Sequence, residues 1–418
     1  MAPADPAESA FTPQGNARAL TLATLSFGLC FYSWALLGPL GPDLQDQLGL
    51  SDFELLVTIS IPVVLGSLMR IPLGILTDRQ GGRRLFTALM AFAPLPLIGL
   101  ALFNDNWTAV LVFGFLLGFV GASFAVGIPF VNTWYPPKRQ GFALGVYGMG
   151  MGGTVVAGLT APRLVKASGN IDLPFWIAAA VMAVWAFVFW SMARDAPGAA
   201  KGKTGSMFAS LAMFKTSGRA WALTLFYFMV FGGFVAMFLF LPKLLHGVHE
   251  ISKTDAGARA AGFALLAVLS RPIGGWLSDR IGAATVLKVV FTATTVLAFV
   301  LAGTYKEIVP LTIACLTLAI FLGLGTGAVF KLVPQWFPDK VGAVTGVVGA
   351  AGGLGGFFPP IVMGIVKSST GAYTLGFVFM GVVAVITLAV LLIINRSSGP
   401  SGAGAGGEAA EPAAGLQT

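Results

Sequence analysis

Arg70-Ile71-Pro72-Leu73-Gly74-Ile75-Leu76-Thr77-Asp78-Arg79, followed by Gly81-Gly82-Arg83-Arg84, is the stretch from which the rest of the chain is read. It returns as Arg271-Pro272-Ile273-Gly274-Gly275-Trp276-Leu277-Ser278-Asp279-Arg280, with Gly282 behind it. In both copies an arginine stands eight residues before an Asp-Arg pair, at the end of a long apolar segment. An Asp-Arg loop rests at a membrane surface at little cost. An arginine two helical turns deeper does not: near the bilayer centre it costs at least about 2.5–3.5 kcal/mol. Two such arginines, one in each half of the chain, point to the handling of an anion.

Composition sets the same frame. Of 418 residues, 56% are hydrophobic and 10% charged, against about 25% charged in soluble domains. Apolar runs long enough to span a bilayer recur throughout, near 20–40, 53–77, 84–103, 107–133, 139–162, 172–193, 219–242, 255–277, 283–303, 308–333, 341–366 and 371–395. Residues 1–17 and 397–418 read as disordered tails, 18–193 and 219–396 as two six-helix bundles, and 194–218 as a polar link. No charged n-region with a cleavage site precedes the first span, so no cleaved signal peptide is expected. Cys30 and Cys315 both fall inside spans, which leaves no disulfide framework and no Cys/His metal cluster. No metal or cofactor is expected. The net charge of +8 would suggest nucleic acid in a soluble protein. Here the basic residues gather on one side, at Arg18, Arg79, Arg83, Arg84, Lys138, Arg139, the 194–218 link, Arg280, Lys340 and Arg396. That asymmetry predicts an inner-membrane protein with both termini and the link in the cytoplasm, and no nucleic-acid partner.

The second half repeats the first at an offset near 201 residues, with Arg70 on Arg271 and Asp78 on Asp279. Trp134-Tyr135-Pro136-Pro137-Lys138 falls on Trp336-Phe337-Pro338-Asp339-Lys340. Gly141, Gly145, Gly148 and Gly152 then fall on Gly342, Gly346, Gly349 and Gly353. The expected fold is an all-α membrane protein of twelve transmembrane helices in two pseudo-symmetric bundles, with its site near the midplane between them.

Arg70 is one helical turn from Gly66 and Gly74, and Arg271 one turn from Ala267 and Gly275. Each guanidinium therefore projects from a stripe of small residues, expected to face a central cavity. No acidic residue occupies the middle of any span, so a ligand anion is the expected partner. A planar fork of donors suits a flat oxyanion. The glycine-dense segments Gly118–Thr154 and Gly323–Phe358 sit in apolar spans and lack a Gly-Lys-Ser/Thr ending, so they are not phosphate loops. Glycine every three or four residues makes a groove for close, sliding contact. Gly145 and Gly346 are expected at that moving contact, and Gly148 and Gly352 beside the anion.

The loop Asp78–Arg84, led by Gly74, resembles the cytoplasmic loop signature of the major facilitator superfamily, with a weaker copy from Gly275 to Gly282. The resemblance implies a gating clamp at Asp78, Arg79, Arg83, Asp279 and Arg280 that breaks and re-forms as the halves rock. From about 18 to 396 the chain also resembles the nitrate/nitrite porter family of that superfamily, most strongly at 118–154, 323–358 and the two arginine segments. This implies that Arg70 and Arg271 grip nitrate from opposite halves and that Phe124, Tyr227 and Phe231 wall the site. For each ring, ordinary packing is the competing reading. The chain departs from the pattern at Met151 and Thr326, where asparagines are usual. Lys331 is expected to snorkel to the surface past Trp336 and Pro338. His246 and His249, in an outer loop with Glu250, are expected to be solvated.

The function expected is secondary transport of nitrate, with nitrite as a second candidate, by a monomer using alternating access. The second glycine segment resembles that of members importing nitrate with protons. The lack of a titratable mid-span group favours nitrate/nitrite exchange instead; proton-coupled import is the reading adopted, with exchange as the alternative. A porter or channel for another small anion, such as a carboxylate, is the alternative. An enzyme is not expected, since no nucleophile, base and oxyanion set can be assembled.

Overall fold

The structure, a computed structural model, describes residues 15–197, 213–370 and 372–397. The expected N-terminal tail through residue 14, most of the polar link (198–212) and the C-terminal tail from 398 lie outside the described residues. The first half of the chain forms α1 (Ala17–Ala35), α2 (Gly41–Leu48), α3 (Asp52–Gln80), α4 (Gly82–Phe92), α5 (Pro94–Leu102), α6 (Trp107–Leu117), α7 (Ser123–Asn132), α8 (Gln140–Gly148), α9 (Gly153–Ser168) and α10 (Asp172–Met192). The second forms α11 (Gly218–Tyr227), α12 (Gly233–His249), α13 (Lys253–Ile281), α14 (Ala283–Thr304), α15 (Ile308–Trp336), α16 (Val341–Thr370) and α17 (Thr374–Ser397). No strand occurs among the described residues.

Short polar side chains start the helices where the sequence leaves the apolar runs. Asn16, Asn106, Ser217 and Ser252 each accept a backbone N–H of the first turn. Ser51 and Glu54 form a reciprocal capping box at the head of α3. The glycine behind each Asp-Arg pair has a specific task. Gly81 (φ 85°) and Gly282 (φ 84°) take the left-handed turn that ends α3 and α13 and starts the next helix.

Ten helical segments among the described residues are long and apolar enough to cross a membrane, with α4–α5, α6–α7, α8–α9 and α11 with the start of α12 each forming one span. The expected spans at 20–40 and 341–366 are helical as α1 and α16 but are not in that set. Arg18 and the scattered Ser and Thr residues dilute α1. The outer surface is apolar, with Phe187 73% exposed and Ile393 66% exposed, which suits lipid and not water.

The glycine-dense segments deform their helices. A 3-10 turn at Gly118–Ala122 joins α6 to α7, another at Met149–Gly152 joins α8 to α9, and a π turn at Phe228–Gly232 joins α11 to α12. Two crossed contacts then tie the halves together: α3 lies along α16, and α13 lies along α8. These place the arginine helices against the glycine helices of the other half.

Candidate functional site

Arg70 and Arg271 are buried, at 4% and 2% exposure. Arg70 Nη1 donates to the Gly349 carbonyl at 2.5 Å, and its Nε to the Gly121 carbonyl at 3.4 Å. Arg271 Nη1 donates to the Gly148 carbonyl at 3.0 Å. The repeat predicts this correspondence, because Gly148 and Gly349 are equivalent positions. Each arginine is thus anchored on the glycine helix of the opposite half. Glycine keeps these approaches open: a Cβ at Gly349 would press on Arg70 Cδ at 3.2 Å, and one at Gly148 would just touch Arg271 Cδ at 3.4 Å.

Neither guanidinium has a carboxylate partner among the described residues. Carbonyl oxygens satisfy donors but do not cancel charge, so two full positive charges stand in a low-dielectric interior. Arg271 is the less satisfied of the two. Its Nη2 reaches only the Met151 thioether, 3.1 Å away, and its Nε has no partner. Met151 therefore lies at the site and offers a poor acceptor where a stronger one would fit.

One aromatic column runs past both charges. The Phe231 ring centroid is 5.9 Å from the Arg70 guanidinium and 5.7 Å from that of Arg271. Tyr227 stacks on Phe231 at 4.9 Å, and Phe124 on Tyr227 at 6.0 Å. The expected ring residues are therefore brought together beside the arginines. Gly352 makes the space: a Cβ there would sit 2.4 Å from Tyr227 Cδ1. Its equivalent in the first half is Met151, so the same position holds a ring clearance on one side and a thioether on the other.

Sequence reading missed three rings. Phe330 meets Phe124 and Tyr227 edge-on at 4.7 and 4.6 Å. Tyr147 stacks on Phe124 and donates its hydroxyl to the Ser123 carbonyl at 2.9 Å. Phe234 lies 5.9 Å from the Arg271 guanidinium. Phe234 stands one turn beyond Phe231 and could have been found by helical spacing. Phe330 has no aromatic counterpart in the first half and carried no such signal.

The small-residue stripe proves to serve packing. Gly74 and Gly275 do not line an open cavity: a Cβ on each would lie 2.2 Å from the Gly342 oxygen and 1.9 Å from the Gly141 oxygen. Gly66 likewise faces the Gly118 carbonyl, and Ala267 faces Gly323. Gly145 and Gly346 abut the backbone oxygens of Arg271 and Arg70. At Gly74 and Gly275 the stripe lets backbones of opposite halves touch, and at Gly66 and Ala267 it packs the arginine helices against their own half.

At the Asp-Arg end, each aspartate sits on a helix start in the other half. Asp78 accepts the N–H groups of Gly342 and Ala343 at 3.0 and 3.1 Å. Asp279 accepts those of Gly141 and Phe142 at 3.0 and 2.8 Å. A carboxylate at a helix N-terminus meets free N–H groups and the positive end of the dipole. Arg83 bonds the Trp190 carbonyl at 2.7 Å and lies over the Trp190 ring, within its own half. Arg280 lies over Trp276 of its own helix. Arg79 is half-buried. Beside this end, burial pushes the Asp195 carboxyl above its ordinary range, against the pull of the Arg83 and Gly82 N–H groups.

Two expectations are corrected. Lys331 does not snorkel to the surface: it is 2% exposed and ion-paired to Asp279 at 2.6 Å. The paired carboxylate is at a helix end, where a search confined to span centres does not look. His249 is in the last turn of α12, half-buried, with Nε2 3.0 Å from the Tyr305 carbonyl, and is not in a solvated loop. The side chain of His246 lies outside the described residues. Thr326 spends its hydroxyl on the Leu322 carbonyl of its own helix, at 2.7 Å.

A family model, the Major Facilitator Superfamily, matches residues 23–331 and 248–417. The probable nitrate/nitrite transporter NarK2 of Mycobacterium tuberculosis is 40% identical over 377 residues, 89% of this chain and 95% of that one. The nitrite extrusion protein of Bacillus subtilis is 35% identical over 376 residues, 89% and 93% of the two chains. Among solved structures, the human organic anion transporter MFSD10 is similar with a TM-score of 0.74 at 16% identity, over 90% of this chain and 99% of that one. That last likeness concerns the fold alone.

Proposed function

The chain belongs to the Major Facilitator Superfamily, and from that premise we propose that it is a membrane transporter of nitrate, with nitrite as a second substrate. One observation carries the reading: two buried guanidiniums with no carboxylate partner among the described residues share one aromatic column, and each is anchored by a carbonyl from the other half. A planar anion takes in-plane hydrogen bonds from the spare donors while rings cover its faces. Binding cancels charge that otherwise opposes closure, and so couples the anion to the approach of the halves. The relatives named for nitrate and nitrite support this choice over a carboxylate.

The cycle proposed is alternating access. The gathering of basic residues at the Asp-Arg end supports a cytoplasmic position for that end and both termini, in an inner membrane. Asp78 and Asp279 then act as latches that hold that end shut and release when it opens. The transporter works as a monomer in the bilayer.

For energy coupling we propose proton-linked import, following the second glycine segment. Nitrate/nitrite exchange is the second reading, and a specific observation favours it. The buried charged residues among the described residues are the cations Arg70, Arg271 and Lys331, and the carboxylate nearest to burial beside them, Asp279, is held by Lys331 at the Asp-Arg end and not beside the arginines. Counterflow in liposomes tests both, using nitrate, nitrite, chloride and formate with and without a pH gradient. Nitrate and nitrite should exchange and chloride should not. Equal rates for chloride or formate would sink the nitrate reading, and indifference to the pH gradient would select exchange.

A further inference from the structure

We propose that Lys331 is a positioning residue of the cytoplasmic gate, a tether that makes the Asp279 latch hold more tightly than its bonds to Gly141 and Phe142 alone would. The Lys331 ammonium lies 2.6 Å from Asp279 Oδ1, and the two side chains are 3% and 7% exposed. It also donates to the Pro137 carbonyl, in the turn that leads into α8. Lys331 and Asp279 belong to the second half of the chain, whereas Pro137, Gly141 and Phe142 belong to the first. The ion pair therefore travels as a unit with its own half. The bonds to Pro137, Gly141 and Phe142 cross the interface and are the ones that break when the gate opens.

The repeat sharpens the point. An offset near 202 residues places Pro129 where Lys331 stands, so this cation is not part of the repeat. A buried ammonium needs acceptors as well as a counter-charge. With the gate shut it has both, from Asp279 and Pro137, and with the gate open it loses Pro137. Lys331 thus favours the shut gate, by on the order of 10-fold or more for one hydrogen bond from a charged donor.

The inference rests on the alternating-access reading, and cysteine labelling separates the two. Ala343 is buried beside the Asp78 latch, and both native cysteines are buried. In the full-length chain carrying Ala343→Cys, reconstituted in liposomes, a membrane-impermeant maleimide is added to the cytoplasmic face without any anion substrate. Asp78→Asn should speed labelling; an unchanged rate overturns the gate reading itself. Lys331→Met should speed labelling about tenfold, while Lys331→Arg should stay near the parent rate. Lys331→Gln stands in should Lys331→Met fail to reach the membrane. No effect of Lys331→Met where Asp78→Asn has one, or an equal gain from Lys331→Arg, overturns the tether.

Discussion

The two arginine half-sites are built from one repeat and have come to differ. Around Arg70, both hydrogen bonds go to carbonyl oxygens, one from each half of the chain, and the neighbouring Gly352 clears room for Tyr227 and Phe231. Around Arg271, one bond goes to a carbonyl, one to the Met151 thioether, and Nε is left over. Backbone geometry is shared between the copies because glycine carbonyls supply it. The side chains make the difference, with Gly352 clearing rings on one side and Met151 offering a poor acceptor on the other. Arg271, the less satisfied of the two, is the hungrier partner for an anion, while Phe231 borders both guanidiniums, with Phe124 beside Arg70 and Phe234 beside Arg271.

The comparison is broken most severely at the arginines. Arg70→Lys and Arg271→Lys each keep charge but lose the fork. Each should slow nitrate uptake on the order of 100-fold, as expected for losing one or two charged hydrogen bonds of about 1.5–3 kcal/mol. Uptake assays with membrane content measured in parallel check this, and a variant that transports normally removes its arginine from the site. Next comes Gly275→Ala. Its Cβ would fall 1.9 Å from the Gly141 oxygen, forcing α13 and α8 apart. Uptake should drop on the order of 10-fold or more, with overpacking at about 1–3 kcal/mol, and the cytoplasmic end should become easier to label.

Gly352→Met makes the Arg70 side resemble the Arg271 side. The new side chain collides with Tyr227 and Phe231, and the nitrate KM should rise about 10-fold. An unchanged KM would mean that the rings are not walls of the site. The smallest effect is expected from Met151→Asn, which replaces a thioether by an amide whose N–H2 adds a donor for the anion beside Arg271. The nitrate KM should fall by a factor of about 2–10, one ordinary hydrogen bond. No change would show that the amide at this position does not reach the anion.

Legible in the sequence is whatever repeats or clashes with its surroundings. Arg70 and Arg271 stand out because charge in an apolar run demands a reason, and the repeat offset alone marks Gly148 and Gly349 as equivalents. The contact between arginine and glycine is not legible, because the Arg70–Gly349 bond joins residues on different halves. The stripe of Gly66, Gly74 and Gly275 shows the right residues and suggests the wrong purpose. Small residues can make a cavity or admit a neighbouring backbone, and spacing alone does not choose. Lys331 misleads when weighed against its own helix, since its partners Asp279 and Pro137 come from two other segments. Phe330 lacks a counterpart and carries no signal at all.

The central claim is that both guanidiniums, anchored from opposite halves, hold one anion. Calorimetric titration of nitrate into the purified protein tests it most directly, with Arg70→Lys and Arg271→Lys alongside. Nitrate should bind the parent and be lost from both variants. Undiminished binding by either variant would contradict the account.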